Sequence, residues 1–218
     1  MTDEDGLVKR GRGRKPRLTR EQVVAGALAL VEEEGLAALS MRRLGARLGI
    51  EAMTLYTYVE SKDDLLDTLA GTVLAGLELP DESLDWETRV RAVVASWAGM
   101  QRSYPNAFPL VYRGNLPTDA VRRTTEHLLD ALRSAGFDEP GTALAYQTLV
   151  CFLDGALLGW PPQSYRAGEA WRQAAERIDR DRYPRQAEVA PFAADLRWDD
   201  VWESGLDLML RGLAARLR

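Results

Sequence analysis

A single cysteine, Cys151, leaves this 218-residue chain without a partner for an internal disulfide and suits a reducing compartment. A single histidine, His127, stands in no cluster of cysteines and carboxylates spaced for a metal, so no metal and no other cofactor is expected. There is no Gly-x-Ser-x-Gly and no glycine-rich phosphate loop after a strand. With one His and one Cys this leaves little for a triad, and an enzyme is not expected. Period-two alternation long enough for a strand is missing, as is any internal repeat. The N-terminus runs from acidic to basic with no apolar core of a signal peptide. The most apolar stretch, residues 143–160, is interrupted by Gln147 and Asp154 and followed by Pro161 and Pro162. It reads as a buried bundle helix and not as a membrane span. What remains is a soluble, cytoplasmic chain, 46% hydrophobic and 28% charged, long enough for a sizeable core in one or two domains.

Lysine is also scarce, and all three (Lys9, Lys15 and Lys62) fall near the start. Residues 1–62 hold 11 basic and 9 acidic side chains, and residues 63–218 hold 17 and 24. The first part is therefore at +2 within a chain of net charge −5. An acidic protein can still bind DNA where its positive charge is concentrated. The segment KRGRGRKPRLTR, Lys9–Arg20, carries seven basic residues and no acidic one, and Gly11, Gly13 and Pro16 keep it irregular. Arg12, Arg14, Lys15 and Arg17 are candidates for an arm along phosphates or in the minor groove; the bland alternative is a solvated tail.

Thr19 and Gln22 form a capping box before an apolar helix that Gly35 ends. Ser40 caps a second helix, with Met41, Leu44 and Leu48 at helical spacing and Gly49 as its stop. Gly45 costs that helix about 1 kcal/mol in propensity, so its use is steric: a crossing segment can come close. A third helix runs from about Glu51 to Val59, with Leu55 buried against the second. The pair is a helix-turn-helix by spacing, or else an ordinary helical hairpin. A fourth helix starts after Ser61, with Asp63 and Asp64 in its first turn. Beyond it, helices are expected over residues 85–104, 118–135, 142–160 and 199–217. A long connection over residues 161–198 contains one possible helix, AGEAWRQAAERIDR.

The block LSMRRLGARLGIEAMTLYTYVESKDDLLDTLA resembles the DNA-binding domain of the TetR family of transcriptional repressors. The likeness is carried by Leu48-Gly49-Ile50, by Thr54–Val59 and by Ser61–Leu66. WESGLDLMLRGLAARL resembles the last helix of the family's tetracycline-repressor branch. The resemblance implies an all-α fold. Residues 1–18 are then a basic arm, 19–65 the helix-turn-helix domain, and 66–218 a helical ligand-binding and dimerisation domain. It further implies operator DNA contacts from Met41, Arg42, Thr54, Tyr56, Tyr58 and Lys62. At Ala52 and Met53 the sequence departs from the branch, which has a glutamine and a proline there. Ala and Met can touch only a thymine methyl, so the operator is expected to differ.

The family's ligand pocket, transferred to this chain, suggests Trp97, Met100, Gln101, Tyr104, Phe108, His127, Tyr146, Gln147, Cys151 and Asp154. Asp154 is the sharpest anomaly, since a carboxylate in an apolar helix needs a partner. The lone histidine gives no support for a metal-chelated ligand. For a homodimer, Gly155 and Gly159 allow close helix approach, and Gly205, Leu208 and Gly212 of the last helix complete a four-helix seam. The reading is a transcriptional regulator, a repressor released from its operator by a small molecule. The alternative is an architectural DNA-binding protein with no effector.

Overall fold

The computed structural model describes residues 18–112, 118–159 and 168–217, and among them every regular element is helical. They fall into two compact units, divided between Thr68 and Leu69. The arm candidates Arg12, Arg14, Lys15 and Arg17 lie outside the described residues.

In the first unit, α1 spans Arg20–Glu34, α2 Met41–Leu48 and α3 Ala52–Leu55; α4, Lys62–Leu74, starts here and continues into the second. The expected caps form. Thr19 Oγ1 accepts from the Gln22 amide at 3.3 Å, and the Gln22 side chain accepts from the Thr19 amide at 2.9 Å. Ser40 Oγ accepts from the Arg43 amide at 3.2 Å, and Gly49 ends α2 in the left-handed region at φ 69°. Val23, Ala27, Val31, Leu44, Leu55 and Leu65 are fully buried, which fixes the three-helix core through its helical spacing. A Cβ on Gly45 would come within 2.8 Å of the Ile50 carbonyl oxygen and 3.1 Å of the Ala52 amide nitrogen. The close approach expected at Gly45 is thus to the backbone that carries the chain from α2 into α3.

The recognition helix is shorter than its periodicity predicts. After Leu55 the chain tightens into i→i+3 bonds from Tyr56, Thr57 and Tyr58. The Thr57 hydroxyl donates to the Thr54 carbonyl at 2.7 Å, a local bond that competes with the regular ladder.

The second unit contains α5, Trp86–Ser103; α6, Asp119–Ser134; α7, Glu139–Asp154; α8, Gly168–Glu176; α9, Pro184–Asp195; and α10, Trp198–Ala215. A single-turn 3-10 segment, Phe108–Tyr112, follows α5, and a π turn, Gly155–Gly159, follows α7. Asp85, Thr118 and Asp138 cap α5, α6 and α7 with their side chains. α7 starts three residues before the expected Thr142 because Asp138 caps it and Pro140 sits in its first turn, where no amide bond is lost. α9 was not expected at all: it lies in the stretch read as a connection, with Pro184 at its start and Pro191 inside.

α7 with its π turn is long and apolar enough by composition to cross a membrane. Its buried residues Thr142, Ala145, Leu149 and Leu153 instead form one face of a helical layer with α6. α10 crosses α7 closely. A Cβ on Gly205 would meet the Phe152 ring at 2.9 Å, and Phe152 stacks on Trp202 with centroids 5.2 Å apart.

Candidate functional site

The first unit sorts its cations. Arg43 pairs with Glu34, and Arg47 forms a two-point pair with Glu33 at 2.7 and 2.6 Å. Arg47 holds the Glu33 carboxyl below its usual range. Glu33 and Glu34 thus tie α1 to α2. Arg20 bonds the Tyr58 carbonyl at 3.2 Å, Thr68 Oγ1 at 3.0 Å and Asp64 at 3.4 Å. Arg42 and Lys62 remain, both exposed and without a carboxylate partner among the described residues.

The two unpaired cations flank the turn and short helix between them. Arg42 is in the first turn of α2, and Lys62 is the first residue of α4, whose Ser61 cap accepts from the Asp64 amide at 3.0 Å. On α3 and in the turn that follows it, Met53 is 74% exposed, and Thr54, Tyr56 and Thr57 are exposed as well, while Leu55 and Val59 hold the segment to the core. Met41 and Tyr58 are half-buried. An exposed face of methyl, hydroxyl and phenol groups between two free cations has the chemistry of a groove-facing surface: cations for phosphates, small contacts for base edges.

The second unit has a half-open cavity of about 260 Å³ lined by Trp97, Tyr112, Val121, Thr124, Thr125, Leu128, Tyr146, Val150, Leu153 and Asp154. Tyr146, Val150 and Asp154 are successive i, i+4 neighbours, so one stripe of α7 supplies them. The Tyr146 hydroxyl bonds the Thr125 hydroxyl at 2.9 Å. Burial pushes the Tyr112 phenol well above its ordinary range, and the Asp154 carboxylate adds to this by its charge and by accepting the phenol's hydrogen bond. Phe108 is buried behind the wall, edge-on to Trp97 at 6.2 Å and to Tyr112 at 5.9 Å.

Of the expected ligand residues, Trp97, Tyr146 and Asp154 line this cavity and Phe108 supports it; Tyr112, Thr124 and Thr125 are lining residues the sequence did not single out. Gln147 and Cys151 are on the exposed face of α7, joined by a 3.9 Å contact. Tyr104 lines a separate open groove of about 630 Å³ with Leu79, Pro80 and Met100. Gln101 is 1% exposed, and its Oε1 has no hydrogen-bond partner.

His127 belongs to a different arrangement. Buried Arg89, 1% exposed, donates to His127 Nε2 at 3.3 Å, to the His127 carbonyl at 3.2 Å and to Asp130 at 2.9 Å. An imidazole that accepts at Nε2 is neutral, with its proton on Nδ1. Burial first, then the Arg89 charge, lower its pKa; Glu82 and Asp130 oppose them.

Leu144, Leu158 and Leu208 are apolar and exposed, Leu208 at 68%. A Cβ on Gly155 or on Gly212 would meet nothing within 4 Å. Gly205 differs from the other expected seam residues: its space is filled within the chain by Phe152. Nothing is described of the surroundings of Gly159.

Two family models match the chain: "Bacterial regulatory proteins, tetR family" over residues 23–69, and "Tetracyclin repressor-like, C-terminal domain" over residues 79–217. Tetracycline repressor protein class D of Escherichia coli is 30% identical over 204 residues, covering 92% of this chain and 91% of that protein. The transcriptional repressor DrrR1 of Streptomyces coeruleorubidus is 28% identical over 221 residues, covering 93% and 79%. The solved structure of the Streptomyces coelicolor TetR family protein ActR in complex with (S)-DNPA superposes with a TM-score of 0.73 at 25% identity, covering 93% of this chain and all of that one. The free cations beside an exposed α3, the largely apolar cavity and the two family matches agree: the chain belongs to the TetR family of bacterial regulatory proteins.

Proposed function

We propose that this protein is a cytoplasmic repressor that binds operator DNA as a homodimer and leaves it when a small molecule fills the cavity of the second unit. The observation that carries the DNA part is the sorting of charge. Arg20, Arg43 and Arg47 are spent on carboxylates, while Arg42 and Lys62 on either side of α3 are not. Arg42 and Lys62 take phosphates or, for Arg42, a guanine edge; Thr54 and Tyr56 meet the groove; Tyr58 and Met41 support the contact. The cavity supports the effector part, because an architectural protein has no use for a concave, largely apolar site with a few polar groups.

The exposed Leu144, Leu158 and Leu208 supply apolar surface for a two-fold seam, to which Gly155 and Gly212 offer open space. Two copies then present two recognition elements to half-sites about 34–36 Å apart, or a multiple of that. α4 runs without a break from Lys62 to Leu74 and so is the covalent path from the DNA face to the second unit. A ligand releases DNA to the extent that it prefers the dimer state with mismatched spacing.

The test is a selection of bound fragments from genomic DNA, followed by a compound screen for release of the tightest one. The expected result is a ratio of at least about a thousand between selected and random DNA, with release by a saturable ligand. A small ratio with no release would establish the architectural alternative.

A further inference from the structure

The cavity is lopsided in charge. Among its described lining residues it offers one carboxylate, Asp154, and no cationic side chain. Among the described residues no arginine, lysine or histidine pairs with Asp154, and the neutral Tyr112 phenol stands in the same lining. A carboxylate in a largely apolar wall, with no described cation beside it, favours a cationic group of a ligand over an anionic one. The rings of Trp97, Tyr112 and Tyr146 stand in the same lining, and aromatic faces attract cations as well as flat apolar surfaces.

A second unmet acceptor lies outside the lining but on the same helix as Trp97. Gln101 is one turn along α5 from Trp97, so the two side chains are neighbours on one helix face. Gln101 Oε1 is buried with no partner, an unmet demand for a hydrogen-bond donor. Thr124 Oγ1 donates to the Ala120 carbonyl at 3.0 Å and Thr125 Oγ1 bonds the Tyr146 hydroxyl at 2.9 Å, and each oxygen keeps a lone pair that can accept. The site therefore asks for donors and positive charge, and it answers an anion with repulsion from Asp154.

We propose that the cavity takes a flat aromatic compound bearing an ammonium group, with the ammonium on Asp154 and the rings among Trp97, Tyr112 and Tyr146. This rests on the ligand-responsive reading above and narrows it to a chemical class. A volume of about 260 Å³ accommodates two or three fused rings with a short substituent.

The test uses two probes of nearly equal size and opposite charge, 1-naphthylmethylammonium and 1-naphthoate, titrated calorimetrically into the full-length protein at pH 7 without DNA. The cation is expected to bind about tenfold or more tighter than the anion. Asp154→Asn should abolish that preference, and Asp154→Glu should keep it. Equal binding, a preference for the anion, no binding of either probe at millimolar concentration, or a preference unchanged in a folded Asp154→Asn protein would each overturn the assignment. The wild-type preference alone decides the sign of the charge if Asp154→Asn does not fold. Adding the selected operator separates the two claims. A cation that binds through Asp154 without releasing DNA leaves this assignment standing and sinks the regulatory reading. Release by an anion through this cavity does the reverse.

Discussion

Gly45→Ala tests how the recognition element is held. The substitution adds one methyl group, which would be 2.8 Å from the Ile50 carbonyl oxygen, 3.1 Å from the Ala52 amide nitrogen and 3.3 Å from the Ala52 Cα. All three are backbone atoms, so no rotamer change relieves the overlap. α2 and α3 must separate by several tenths of an ångström. Alanine gains about 1 kcal/mol of helix propensity over glycine, and overpacking of this kind costs about 1–3 kcal/mol. The net expectation is a loss of up to about 2 kcal/mol, or a fall in Tm of up to about 8 °C for a chain of this size. Gly71→Ala in α4 is the control, because its Cβ meets nothing within 4 Å and only the propensity gain remains. Thermal melts should therefore move in opposite directions for the two variants. Gly45→Ala should also lose operator affinity well beyond its loss of stability, since Met53, Thr54 and Tyr56 ride on the displaced segment. A Gly45→Ala protein as stable as Gly71→Ala and with full affinity would refute the close-approach argument.

Stability should fall as pH drops below about 6.5, the ordinary histidine value. The folded state lowers the His127 pKa, so its contribution is complete above the unfolded value and is lost as pH falls toward the folded one. Melts from pH 8 to 5 should show this slope, and His127→Gln should flatten it; an identical slope in the variant would remove His127 as its source. Gln101→Leu should raise stability by about 1 kcal/mol, because it removes a buried acceptor that has no donor, and a Tm below wild type would count against that. Leu208→Glu places a charge on the exposed apolar face of α10 and should convert the dimer to monomer in sedimentation, with loss of operator binding; a retained dimer would move the seam elsewhere.

The sequence revealed the parts of the fold whose signals are local. Thr19 with Gln22, Ser40 and Gly49 mark helix ends through bonds three residues long, and each was found in place. Pairs that join distant segments left no such mark. Glu33 and Glu34 look like any acidic helix end until α2 brings Arg47 and Arg43 against them. α9 escaped because Pro191 interrupts it and because its large apolar side chains, Val189 and Phe192, are exposed and follow no buried stripe.

The cavity was half legible. Asp154 stood out as a carboxylate in an apolar helix, and Trp97 as an aromatic on α5. Tyr112, Thr124 and Thr125 come from two other segments, and only the tertiary fold gathers them. The period of α7 held a usable signal: Tyr146, Val150 and Asp154 share one stripe, while Gln147 and Cys151 share the next, which is exposed. His127 is buried as expected of a core histidine, but it serves the buried Arg89 and does not line the cavity.

The salt dependence of operator binding tests the central claim most directly. Log Kd is measured against log salt concentration for the wild type and for Arg42→Ala, Lys62→Ala and Arg43→Ala. A phosphate contact accounts for a slope of about 0.9, so Lys62→Ala should lower the slope by about one, and so should Arg42→Ala if its partner is a phosphate. Arg43, spent on Glu34, should leave the slope unchanged when removed. Slopes unaffected by Lys62→Ala, or reduced equally by all three substitutions, would contradict the assignment of the DNA face to the unpaired cations beside α3.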